Sequence, residues 1–67
     1  MYHKFTDTTN VDSFDYNLST GTLKLSFKNK RSYEYYNVIA SDVVELMRLK
    51  GEFVKVLVKK YEVKEVK

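Results

Sequence analysis

Three bases and three tyrosines crowd the segment KNKRSYEYYNV: Lys28, Lys30 and Arg31 immediately precede Tyr33, Tyr35 and Tyr36. Cations beside aromatic faces are the groups that hold single-stranded nucleic acid. Ammonium and guanidinium groups follow the phosphates, and each base stacked on a ring contributes on the order of 1–3 kcal/mol. A second basic block, Lys55, Lys59, Lys60 and Lys64, offers further phosphate partners, although the same spacing equally describes a solvated helix face.

Other chemistries find little footing. His3 is the only histidine and there is no cysteine, so a zinc site lacks its partners; no nucleophile stands at a diagnostic spacing from a base, and no metal or cofactor is expected. Asp12 and Asp15 are close in sequence but fall on opposite faces of a regular strand, which rules against a paired-carboxylate mechanism. No glycine-rich phosphate loop is present. The expectation is a non-enzyme with no catalytic residues. The longest apolar runs are pairs and triplets such as Val56–Val58, far short of the roughly 20 residues of a membrane span. The N-terminus lacks a hydrophobic signal region, and with cysteine absent the expected location is the cytoplasm.

Charge along the chain alternates. Lys4 stands against Asp7, Asp12 and Asp15 up to residue 22, residues 23–31 hold four bases and no acid, residues 32–47 hold three acids and no base, and residues 48–67 hold seven bases against three acids. The net charge is +3. Two basic blocks between acidic ones suit a polyanion, and also an ordinary solvated surface.

The elements that must position these groups follow from hydrophobic period. In 67 residues only about 60% of the unfolded surface can be buried, so the core is thin. Phe14, Tyr16 and Leu18 alternate as in a half-buried strand; Leu18–Gly21 reads as a hairpin loop, with Gly21 supplying positive φ; Leu23, Leu25 and Phe27 form the apolar face of a second strand. A polar turn at Asn29–Arg31 leads to a third strand, on which Tyr33 and Tyr35 share one face and Glu34 and Tyr36 the other. If helices cover the first face, Tyr33 and Tyr35 are core and Tyr36 is the exposed ring, flanked by the basic turn. Ala40–Asp42 then offers a helix start with a capping hydroxyl or carboxylate, Val43, Leu46, Met47 and Lys50 keep helical spacing, and Gly51 suits a left-handed stop. Phe53, Val54, Leu57, Val58 and Tyr61 form one stripe of a second short helix, while Val54, Val56 and Val58 also alternate as a strand would. The predicted fold is α+β: a three-stranded antiparallel β-meander followed by one or two short α-helices on one face. Residues 1–9 are expected as an arm, 10–61 as the single domain and 62–67 as a frayed tail.

Over roughly residues 10–61 this pattern resembles the KTSC domain, a small module named for the C-terminus of some lysyl-tRNA synthetases and also found as stand-alone bacterial and phage proteins. The resemblance rests on a Tyr-x-Tyr centre, here Tyr33 and Tyr35, and on Tyr16, Gly21, Thr22 and Leu23 before it. Gly51, Phe53 and Val58 fit the family's late segment, whereas Lys55 stands where an asparagine is expected and Ile39 where a proline often follows. The family is known mainly as a domain of unknown function, with a suggested role in RNA binding. Residues and resemblance together lead to a binding module for RNA or single-stranded nucleic acid, using Tyr36, Lys28, Lys30 and Arg31 with Lys55, Lys59 and Lys60. The alternative is a protein-binding accessory or inhibitor, phage-encoded in one version, that presents the same surface to a protein partner.

Overall fold

The computed structural model describes residues 1–66. Strands β1 (Tyr2–Lys4), β2 (Val11–Asn17), β3 (Thr22–Phe27), β4 (Ser32–Tyr35) and β5 (Val63–Val66) form one antiparallel sheet in the order β1-β2-β3-β4-β5. Between β4 and β5 the chain makes helix α1 (Ala40–Leu49), a 3-10 turn (Lys50–Phe53) and helix α2 (Val54–Lys60). The α+β plan is the predicted one, but the sheet has five strands instead of three. The expected arm supplies β1 and the expected tail supplies β5. Neither strand could be read from alternation, because β1 is three residues long and VKEV places two charges at the centre of β5; short, charged segments are the usual form of sheet edges.

The register gives the core its composition. Phe14 and Tyr16 on β2, Leu23 and Leu25 on β3 and Tyr35 on β4 share the covered face, with Phe14 opposite Leu25 and Leu23 opposite Tyr35. Val43 and Leu46 of α1, Phe53 of the 3-10 turn and Leu57 of α2 close over them. A bulge between Val11 and Ser13 brings Val11, three residues before Phe14, back to the covered side; strict alternation would have sent it to the other face. Tyr16 buries its ring and donates its hydroxyl to the Val38 carbonyl at 2.6 Å. Leu18, expected beside Phe14 and Tyr16, is 72% exposed, because the strand ends at Asn17 and the hairpin loop turns it outward.

That loop closes as expected on Gly21, whose φ is +74°. A Cβ there would come within 3.3 Å of the Asn37 Cα, and the Gly21 carbonyl accepts the Val38 N–H at 2.8 Å. The end of α1 differs from expectation. The residue with positive φ is Lys50 (φ 56°, ψ −133°) and not Gly51. Gly51 instead leaves room for a neighbour: the Asn10 side-chain amide occupies the position a Cβ would take and would have to move aside for one.

The start of α1 also departs from the predicted cap. Ile39 is the N-cap and no side chain bonds to the first turn from that position. Asp42 instead faces inward, 8% exposed, pairs with Lys60 at 2.8 Å and accepts the Tyr61 hydroxyl. The Ile39 N–H in turn donates to the Tyr61 oxygen. The end of α2 thus satisfies the beginning of α1.

Candidate nucleic-acid interface

The β3–β4 hairpin positions the basic turn. Phe27 N–H donates to the Arg31 carbonyl at 2.8 Å and Lys30 N–H to the Phe27 carbonyl at 3.1 Å, while Asn29 Oδ1 accepts the Arg31 N–H at 3.1 Å. Lys30 has φ +70°, the left-handed position that glycine commonly fills in three-residue hairpin loops. Lys30 and Arg31 point to solvent. Lys28 is exposed as well, but its ammonium donates to the Thr8 carbonyl.

Directly beside this turn lies a cleft of about 390 Å³. It is lined by Phe27, Tyr33, Tyr35 and Val63 of the sheet, Val54 and Val58 of α2, and Asn29 of the turn. Tyr33 is half-buried and meets Phe27 edge to face, ring centroids 5.5 Å apart. Tyr35 is fully buried, and desolvation raises the pKa of its phenol. The expected burial of the tyrosine pair therefore holds in full for Tyr35 and in part for Tyr33. Arg31 has its pKa raised, first by the Tyr33 hydroxyl beside it and then by the charge of Glu65.

Tyr36 lies elsewhere. β4 runs away from the turn, so five residues of extended chain, about 15 Å, separate it from Arg31. Its hydroxyl donates to Glu34 at 2.9 Å and its N–H to the Glu62 carbonyl. Its pKa is raised, first by the bond to Glu34, then by desolvation and by the charges of Glu34 and Glu62. The ring expected to stand beside the bases sits among acids: Glu34 is its same-face neighbour two residues back on the strand, and Glu62 is brought to it by the return of the chain into β5.

The second basic block divides. Lys55 and Lys59 are exposed, one residue after Val54 and Val58 and so about 100° further round α2 from the cleft wall. Lys55 also lines a polar cleft formed with Asp7, Asn10 and Lys50, where Lys50 pairs with Asp7. Lys60 is neutralised by Asp42, and its ammonium stands 5.6 Å from the Tyr61 ring centre. Lys64 is on β5, on the sheet face that the helices leave bare, where the register sets Asp15 opposite Lys24, Lys24 opposite Glu34 and Glu34 opposite Lys64.

His3, in the segment expected as an arm, packs its ring against Phe5 and Phe14 at 4.9 and 5.4 Å, because Phe5 is buried in the core and draws β1 onto the sheet. Among the described residues no cluster of three potential metal ligands occurs, and no helix is long and apolar enough to cross a membrane.

The family model of the KTSC domain matches residues 7–61, so the chain belongs to the KTSC domain family. The Tyr33 and Tyr35 of the family's Tyr-x-Tyr centre are the two tyrosines that wall the cleft. No curated protein matches the chain in sequence.

Proposed function

We propose that this protein is a cytoplasmic, non-enzymatic binding module for RNA or other single-stranded nucleic acid, and that it binds at the mouth of the cleft beside the β3–β4 hairpin. The observation that carries this reading is that the Phe27 and Tyr33 rings line one cleft with Asn29 of the basic turn, and that Arg31 of the same turn lies beside the Tyr33 hydroxyl, with Lys30 its exposed neighbour in sequence. A base entering there finds an aromatic face and an apolar wall from Val54 and Val58, and its phosphates find two cations. Lys55 and Lys59 extend the positive side along α2. The carboxylates of Glu34 and Glu62 beside Tyr36 repel an anionic strand, and Tyr36 is left out of the site.

The test is a titration of labelled mixed-sequence single-stranded RNA by fluorescence anisotropy at several salt concentrations. Arg31→Ser is expected to weaken binding and to flatten log affinity against log salt by about 0.7 for one lost phosphate contact. Tyr33→Leu keeps the apolar volume and removes the π face; it is expected to cost about 1–3 kcal/mol of binding while leaving the salt slope nearly unchanged. Tyr36→Ala is expected to bind as wild type does. Absence of binding by the wild-type protein at low salt, where attraction is least screened, ends this reading and moves the weight to a protein partner on the same surface, where tyrosine and arginine are also typical anchors.

A further inference from the structure

Tyr35 carries a hydroxyl that the fold does not use. The residue is 1% exposed, and among the described residues no side-chain hydrogen bond engages its hydroxyl, yet no fully buried side-chain polar atom lacks a partner. The sliver of Tyr35 that remains open is therefore its hydroxyl, and the cleft that Tyr35 helps to line is the way to it. Desolvation raises the pKa of that phenol, so it keeps its proton. In an otherwise apolar recess, a polar group without a protein partner is where a ligand atom gains its bond and its orientation.

The other polar side chains at the cleft are of one kind. Asn29 commits its Oδ1 to the Arg31 N–H at 3.1 Å, which leaves the two N–H groups of its amide. The oxygen of the Tyr33 hydroxyl lies beside the Arg31 guanidinium, which leaves that hydroxyl its proton, and a guanidinium only donates. Asn29, Arg31 and Tyr33 thus offer donors, and Tyr35 adds a fourth.

On the reading of this cleft as the nucleic-acid site, we propose that it selects guanine, the base lying against Tyr33 with its O6 and N7 edge turned to these donors and reaching the Tyr35 hydroxyl. Guanine alone presents two acceptors and no donor along one edge. Adenine has an amino group in place of O6, which sets donor against donor. Arginine on guanine O6 and N7 is also the commonest base-specific contact in duplex DNA. A purine covers more of the apolar wall formed by Phe27, Val54 and Val58 than a pyrimidine does.

Strands of fixed length, abasic except for one central guanine, hypoxanthine or adenine, carry equal numbers of phosphates and isolate the base. Fluorescence anisotropy at one salt concentration is expected to rank guanine with hypoxanthine, which shares O6 and N7, and to place both above adenine by about fivefold or more. The fully abasic strand is expected to bind most weakly. Asn29→Asp keeps an oxygen for the Arg31 N–H and removes the amide donors; its new charge weakens every strand, and the preference for guanine over adenine disappears. Tyr35→Phe removes no hydrogen bond of the fold, so its thermal melt matches wild type, while its affinity for the guanine strand falls by about two- to tenfold. Equal affinity for the guanine and adenine strands, or a Tyr35→Phe protein that binds guanine as wild type does, overturns the proposal; where both strands still exceed the abasic one, the cleft stands as a nucleic-acid site without base selection. Guanine and adenine strands that bind no better than the abasic strand overturn both.

Discussion

Lys30→Gly is expected to make the protein more stable and a poorer ligand for RNA at the same time. A residue with a Cβ at φ +70° meets the carbonyl that follows it, at a cost of about 1–2 kcal/mol. Glycine removes that contact but adds freedom to the unfolded chain, which returns roughly 0.5–1 kcal/mol. The net expectation is a gain of about 0.5–1 kcal/mol, or roughly 2–8 °C in melting temperature for a domain of this size. The hydrogen bonds that close the loop use backbone groups of Phe27, Lys30 and Arg31 and the side chain of Asn29, all of which survive the substitution. The assay is a thermal melt followed by circular dichroism, paired with the RNA titration at several salt concentrations. Lys30→Ala is the control: it removes the same charge but keeps the strained φ, so its binding loss matches that of the glycine variant and its melt stays near wild type. A lower melting temperature for Lys30→Gly refutes the turn geometry. A binding loss in Lys30→Ala without one in Lys30→Gly refutes the charge as its cause.

Two further expectations concern stability. Leu25→Ala, at a fully buried position, is expected to cost about 2–5 kcal/mol by urea denaturation, whereas half-buried Phe27 loses less on truncation, about 1–3 kcal/mol, since part of its ring is already in water. Asp42 has its pKa lowered, first by its bond to Lys60 and next by the Tyr61 hydroxyl. A depressed carboxylate adds stability that is complete above its unfolded pKa and disappears as pH falls through the lower folded value. Unfolding midpoints below the ordinary aspartate range should therefore fall more steeply with acid in wild type than in Asp42→Asn, and parallel curves would remove Asp42 from the account of acid lability.

What could be read from the amino-acid order is what depends on neighbours in the chain. Leu23 and Leu25 alternate with polar residues and are buried; Gly21 sits between two strands and takes positive φ; the stripe containing Phe53 and Leu57 forms helix and not strand. What could not be read depends on partners distant in sequence. Asp42 looked like a cap because its lysine and tyrosine come 18 and 19 residues later. Gly51 looked like a helix stop because nothing local announces Asn10 behind it. The site shows the same division: the basic turn, the tyrosine pair and Glu34 beside Tyr36 were legible, while the approach of Glu62 waited on a fifth strand whose sequence, VKEV, carries almost no strand signal.

The row of opposed charges across the bare face of the sheet ends on β5, and this shapes what the open edge can accept. When two copies of an edge strand join antiparallel about a two-fold axis, the residue on the axis faces its own image. At the centre of β5 that residue is Lys64 or Glu65, and either choice sets like charges directly opposite one another, which is destabilising in a sheet. The strand that completes the domain therefore discourages its own extension. Two molecules gain little by joining β5 to β5, although the backbone groups of residues 63–66 along that edge are open.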